Sequence, residues 1–157
     1  MMLEMIDYLQ ARKKDADKAI DHHVNDHAEL RHIRDLLTTA PGCGRILAFT
    51  LITQMPELGQ LDRRKITALA GLAPIAKDSG QTQGKRIIKG GRQQVRNALY
   101  MAATASLTHK NNPFKDRYQA LTKRGKPNKL ALTAVMRHIL TTLNAMLRDN
   151  KPWTPTT

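Results

Sequence analysis

The chain is poor in several residue types, and each shortage excludes a class of protein. Its single cysteine, Cys43, excludes an internal disulfide and fits a reducing compartment. It has one Trp, three Tyr and two Phe, which argues against binding single-stranded nucleic acid by base stacking. There is no run of about 18 apolar residues and no basic segment at the N-terminus, so we expect neither a membrane span nor a secretory signal.

Acidic residues are scarce after Leu36. Residues 37–157 carry twenty Lys and Arg but only five acids, whereas residues 1–36 carry six basic and eight acidic residues. The formal net charge of +13 is therefore concentrated in the second region, as in a protein that binds a polyanion. A membrane surface is the weaker alternative, because the basic residues are spread over several short segments. We expect double-stranded DNA as the partner and no membrane.

Proline and glycine are absent between Leu3 and Thr38, which predicts one long helix. The apolar residues of an imperfect heptad are Ile6, Leu9, Ala16, Ile20, Leu30 and Leu37. They follow alternating steps of three and four once the polar residues Lys13, His23, His27 and Arg34 are counted in the same stripe. This stripe is too weak to stabilise a lone helix. We therefore expect residues 1–38 to be coiled-coil-like and to mediate a homo-oligomer. The helix begins at Met1 without a capping signal, so we also expect a longer protein to precede it.

The rest of the chain is predicted to be mainly α. Helix breakers divide residues 39–150 into a helix-hairpin-helix, a small irregular loop or hairpin and a C-terminal helical bundle. Residues 151–157 are expected to form a disordered tail. The predicted helices are Arg45–Met55, Arg63–Ala70, one from Gly91 to His109, one from Pro113 to Lys123, and Asn128–Arg148.

The segment Pro41-Gly42-Cys43-Gly44 is typical of the hairpin in a helix-hairpin-helix. Glycines let the backbone approach a phosphate, and free N–H groups at the start of the next helix point at the anion. We therefore expect Gly42, Gly44 and Arg45 to contact DNA without reading its sequence. The alternative is a simple interhelical turn with glycine at the helix end. Cys43 is expected to be a small buried hydrophobe, not a reactive thiol.

A serine lies next to a glycine, Ser79-Gly80, within a segment rich in cations and containing one acid, Asp78. A hydroxyl among cations suits a nucleophile aimed at a phosphodiester, and equally a plain phosphate-binding loop. Both interpretations predict DNA contacts from the surrounding cations Lys77, Lys85, Arg86, Lys89, Arg92 and Arg96.

A second basic turn, Lys123 to Lys129, joins two predicted helices. Its Lys126 and Lys129 are candidate phosphate contacts, with a solvated loop as the alternative. The histidine pair His23 and His27 has no third ligand with suitable spacing, so we predict no metal site in this chain.

Three stretches in this order make the chain resemble the C-terminal part of the Piv/MooV-type insertion-sequence transposases, also called DEDD transposases. Some members of that family are bridge-RNA-guided recombinases. The resemblance covers roughly residues 36–153. It is carried by Pro41 to Gly44, by Ala70-Gly71-Leu72-Ala73-Pro74 to Ser79-Gly80 with its continuation to Leu99, and by Arg124 to Leu132.

The resemblance implies DNA transposition or site-specific recombination by a bacterial, cytoplasmic and nucleoid-associated protein of a mobile element. It implies that Ser79 is the nucleophile, that four acids of an RNase-H-like domain hold Mg²⁺, and that a guide RNA can be a partner. The acids after Leu36 do not cluster, so we expect this chain to hold half of a composite active site and to be inactive alone. The alternative is a non-catalytic helix-hairpin-helix module that binds nucleic acid.

Overall fold

The computed structural model describes residues 1–75, 87–88, 90–110 and 112–155. In these residues the chain forms seven α-helices and one short antiparallel strand pair, which confirms the mainly α class. It divides into two compact units, Met1–Ile33 and Arg34–Thr157.

The first unit contains α1 (Met2–Asp26) and the beginning of α2 (Ala28–Leu37). The single helix predicted from Leu3 to Thr38 is interrupted at His27, whose backbone is extended at φ −108° and ψ 106°. The Nδ1 of His27 lies 2.7 Å from the carbonyl oxygen of His23, so the ring donates the hydrogen bond that a continuing helix would take from the backbone. The heptad residues Ile6, Leu9 and Ile20 of α1 are exposed.

The second unit is built around the last helix. Its helices after α2 are α3 (Arg45–Gln54), α4 (Arg63–Leu69), α5 (Gln93–Ser106), α6 (Pro113–Lys123) and α7 (Asn128–Asp149). The strands β1 (Pro74–Ile75) and β2 (Ile87–Ile88) pair antiparallel between α4 and α5. Helix α7 packs against α4, α5 and α6, and α5 packs against α3. The largest fully buried side chains are Leu37, Leu51, Met55, Ile66, Leu72, Val95, Leu99, Phe114, Val135, Ile139, Leu140 and Leu143.

Local capping explains where the short helices begin. The Asp62 carboxylate accepts the N–H groups of Arg64 and Lys65 at 2.8 and 2.9 Å, which begins α4 as predicted. The buried Asn112 caps α6 in the same way, with Pro113 in its first turn, and its amide group also donates to the carbonyl of Ser106. Both starts are therefore encoded within three or four residues.

Helix α7 has the length and hydropathy of a membrane span, with a mean hydropathy of 1.3 in its most apolar window. In the fold it is a core helix, because eight of its residues, from Ala131 to Met146, are buried against its neighbours. One of them is polar. Asn144 accepts the N–H of Gly59 at 2.8 Å and donates to the carbonyl of Leu61 at 2.9 Å, which fastens the loop before α4 to α7.

The segment after α7 was expected to be disordered. Within its described part, the N–H of Lys151 donates to the carbonyl of Met146, and the N–H of Trp153 donates to Thr39 Oγ1 at 2.9 Å. The Trp153 side chain is half-buried. These contacts hold residues 151–153 against the second unit.

Candidate nucleic-acid interface

The hairpin between α2 and α3 places its two glycines in different surroundings. Gly42 has φ +76°, and a Cβ at this position would lie 2.6 Å from the carbonyl oxygen of Ala102 and 2.8 Å from the backbone nitrogen of Ser106. The close approach that this glycine allows is therefore to helix α5. Gly44 has φ −87° and open space where a Cβ would stand, so no steric reason within the fold requires glycine there.

The start of α3 is accessible. Gly44, Arg45 and Ile46 are exposed, and among the residues that the structure describes no side chain caps the first N–H groups of the helix. A groove of about 870 Å³ runs from this helix start between α3 and α5, and Thr50, Asn97 and Met101 are among its lining residues. The uncapped N–H groups and the Arg45 side chain are a suitable arrangement for one phosphate of a nucleic-acid backbone. Cys43 beside them is buried, as predicted, and burial raises the pKa of its thiol to about 12, so the thiol stays protonated near neutral pH.

Two glycines lie where the chain enters and leaves the serine-bearing segment, residues 76–86, which contains Ser79. Gly71 and Gly91 both have φ +70°, and a Cβ on either would overlap the backbone of the opposite strand of chain. The N–H of Arg92 donates to the carbonyl of Leu69 at 3.1 Å, and Pro74 pairs with Ile88. The two ends of the segment that carries Ser79 are thus held together at residues 69–75 and 87–92.

The two arginines after this base hold the fold together. Arg92 forms a two-pronged ion pair with Glu57, with both N–O distances 2.7 Å, and also donates to the carbonyl of Gln54. This pairing lowers the pKa of the Glu57 carboxyl to about 2. Arg96 donates to the carbonyl of Gly90 at 2.5 Å and to the side chain of Gln93. Both were predicted to contact DNA, which stays a prediction, and in the structure both have protein partners.

The remaining predicted residues fall into two groups. Lys126 and Lys129 are exposed at the start of α7, as a phosphate contact requires. Ser79 and the cations Lys77, Lys85, Arg86 and Lys89 lie outside the described residues.

The sequence did not single out a cluster of arginines next to β1. Arg63 and Arg64 of α4 and Arg137 of α7 line a groove of about 560 Å³ together with Ala73 and Pro74, just before the serine-bearing segment. Arg137 donates to the carbonyl of Leu72 at 2.8 Å. Burial first, and then the charges of Arg117 and Arg63, lower the pKa of Arg137. Each arginine is visible in the sequence, but only the packing of α4 on α7 brings them together.

The resemblance implies Mg²⁺, but this chain's described residues do not provide a place for it. Among residues 1–75, 87–88, 90–110 and 112–155, no three His, Cys, Asp or Glu side chains lie close enough to hold a metal ion. Glu57 and Asp149, for example, are each paired with a neighbouring arginine.

A basic helical domain with an open hairpin and a fastened serine-bearing segment is a candidate for binding nucleic-acid phosphates. Comparison with known sequences identifies the protein family. The profile described as "Transposase IS116/IS110/IS902 family" matches residues 34–119, and the chain belongs to that family.

Curated relatives agree with this assignment. The chain is 30% identical over 146 residues to a pilin gene-inverting protein of Moraxella bovis, covering 88% of this chain and 45% of that protein. It is 31% identical over 136 residues to an uncharacterized 43.6 kDa protein of insertion element IS110 in Streptomyces coelicolor, covering 84% of this chain and 33% of that protein. An uncharacterized 42 kDa protein of insertion element IS900 in Mycobacterium paratuberculosis is 31% identical over 150 residues, and the match covers 91% of this chain and 35% of that protein. The chain therefore spans less than half the length of these relatives.

Proposed function

We propose that this chain is the DNA-binding, serine-bearing part of a bacterial, cytoplasmic transposase or site-specific recombinase. The observation that carries the proposal is membership of the transposase family over residues 34–119, a stretch that includes Ser79. The gene-inverting and insertion-element relatives support recombination as the reaction. The concentration of positive charge after Leu36 supports DNA as the substrate.

In this proposal Ser79 supplies the nucleophile of a composite active site. Its hydroxyl oxygen forms a bond to a DNA phosphorus while the bond from that phosphorus to the 3′-oxygen breaks. The serine proton passes to a base in the other half of the site, and the leaving 3′-oxygen takes up a proton there to become a 3′-hydroxyl. A 3′-hydroxyl later attacks the phosphoserine and restores a phosphodiester, so no external energy source is needed.

DNA would be positioned by contacts outside that segment. The uncapped start of α3 with Arg45 and the exposed Lys126 and Lys129 are the described groups best placed for phosphates. A direct test measures duplex binding by fluorescence anisotropy at several salt concentrations. Replacing Lys126 and Lys129 by Gln should weaken binding and reduce the salt slope by about two. Arg92→Gln should leave that slope unchanged, because Arg92 is engaged with Glu57. An unchanged slope in the lysine variant would contradict this placement of DNA.

The half-site hypothesis has its own test, which is nicking of target DNA by this chain in the presence of Mg²⁺. We expect binding without cleavage, and robust cleavage that depends on Ser79 would contradict a composite site. The second candidate function is a non-catalytic binding module in which Ser79 only hydrogen-bonds a phosphate. It is favoured if Ser79→Ala weakens DNA binding and recombination in parallel.

The N-terminal unit is proposed to join two copies of the chain. Ile6, Leu9 and Ile20 recur at heptad positions and are exposed, which suits pairing with the same helix of a second copy. Sedimentation at several concentrations should show a dimer that removal of residues 1–36 abolishes. A dimer that persists after truncation would refute this role. A guide RNA would be a further partner in the assembled recombinase, and its binding is tested by the same anisotropy assay with structured RNA.

A further inference from the structure

A second cationic pocket lies on the described part of the domain, and none of the described residues predicted to contact DNA lines it. It encloses about 660 Å³ and is formed by α4, α6, the second half of α7 and the segment after α7. Arg63, Arg117, His138 and Lys151 line it, and so does Trp153, the only tryptophan of the chain. Three separate parts of the sequence thus deliver the cations Arg63, Arg117 and Lys151 to one cavity, and α7 adds the His138 ring.

The positive charge in this pocket is poorly compensated. Its lining contains a single acid, Asp149, which is paired with Arg148 through N–O distances of 2.8 and 3.0 Å. Neither Arg63 nor Arg117 forms an ion pair with a residue that the structure describes. An anion entering the cavity would therefore meet two arginines whose charge no carboxylate offsets.

A buried polar atom of the pocket wall also lacks a partner. His138 Nδ1 is inaccessible to solvent and has no hydrogen-bond partner among the residues that the structure describes. The His138 ring is held edge-on against Phe114 at a centroid distance of 5.1 Å, so it cannot easily turn away. Burial, and then the charges of Arg117 and Arg63, lower the pKa of His138. A bound anion would offset the two arginine charges that disfavour protonation of His138.

We propose that this pocket is a binding site for a phosphate group, held by Arg63 and Arg117 with His138 at its wall. Arginine forks match the geometry of phosphate oxygens, and the cavity is larger than inorganic phosphate requires, so a phosphate attached to a larger molecule fits. The phosphate can belong to a nucleic-acid backbone, which would rest on the proposed function, or to a free phosphate compound.

The test uses the fluorescence of Trp153, titrated with inorganic phosphate and pyrophosphate at constant ionic strength. We expect a saturable change that the Arg63→Gln, Arg117→Gln double variant weakens at least about tenfold. The matched control is Lys123→Gln, which removes an exposed cation of α6 that does not line the pocket. No saturable change with either anion, or an equal loss in the control, would overturn the proposal.

Two further measurements distinguish a nucleic-acid phosphate from a free phosphate compound and detect variants that fail to fold. In NMR titrations, phosphate should raise the pKa of His138 in the unmodified chain and much less in Arg117→Gln, while Arg117→Gln alone should raise it without ligand. If Arg117→Gln leaves the pKa of His138 unchanged, the charge of Arg117 does not act on His138, which would contradict the proposed arrangement of the pocket. Duplex DNA that blocks the phosphate response identifies a nucleic-acid phosphate. A phosphate response that DNA neither reproduces nor blocks identifies a free phosphate compound and leaves the site in place, whatever becomes of the proposed function.

Discussion

Replacing Gly42 by alanine introduces one methyl group at the contact between the hairpin and α5. That methyl carbon would lie 2.6 Å from the carbonyl oxygen of Ala102 and 2.8 Å from both the backbone nitrogen and the Cβ of Ser106. Two of these atoms belong to the backbone of α5, so the overlap can be removed only if the hairpin moves away from that helix. The positive φ of +76° costs a residue with a Cβ about 1–2 kcal/mol. Displacing packed elements adds about 1–3 kcal/mol.

The free energy of unfolding should therefore fall by about 2–5 kcal/mol in Gly42→Ala, measured by urea denaturation followed by circular dichroism. Gly44→Ala is the matched control two residues away. Its Cβ meets open space, so the loss should stay below about 1 kcal/mol, from the poorer helix cap. A Gly42→Ala variant within 0.5 kcal/mol of the unmodified chain, a threshold of about the size of a typical surface substitution, would refute the packing argument. So would a larger loss in Gly44→Ala.

Three other perturbations follow from the packing. Cys43 should react with a thiol reagent only as fast as the chain unfolds, because burial raises its pKa to about 12, and rapid labelling of the folded chain would contradict its burial. Asn144→Ala should lower the free energy of unfolding by about 2–4 kcal/mol, since Gly59 N–H and the Leu61 carbonyl lose their partner; a loss below about 1 kcal/mol would show that the loop is held otherwise. The pKa of His138 lies below its ordinary value of 6.5 in the folded chain, so below that pH the unfolded chain binds the extra proton first. Stability should therefore fall with decreasing pH, by at most about 1.4 kcal/mol per pH unit from this group, and His138→Gln should flatten that part of the profile. An identical profile in the variant would contradict the shift.

The helices could be predicted where their boundaries are local. Asp62 and the Asn112-Pro113 pair begin helices through contacts that span three or four residues, and α7 begins at Asn128 as its sequence pattern indicates. The break at His27 was missed, because no proline or glycine marks it and the side chain supplies the hydrogen bond that replaces the helix contact.

The site was predicted less completely, because its contacts join distant parts of the chain. Arg92 pairs with Glu57, 35 residues away, and nothing in the pattern of charges distinguishes it from a cation that faces solvent. The role of Gly42 depends on where α5 packs. The pocket of Arg63, Arg117 and His138 requires α4 and α6 to meet at α7, which only the tertiary fold provides. The assignment of Ser79 as the nucleophile stays a prediction, because it lies outside the described residues.

The most direct measurement of the central claim is a search for DNA covalently linked to Ser79. The complete recombinase would be incubated with target DNA, digested and analysed by mass spectrometry for a nucleotide on the peptide that contains Ser79. The account predicts a nucleotide attached through phosphate to that serine, and its loss in Ser79→Ala with duplex binding retained. Recombination that persists in Ser79→Ala, or strand cleavage with the adduct on another residue, would contradict it.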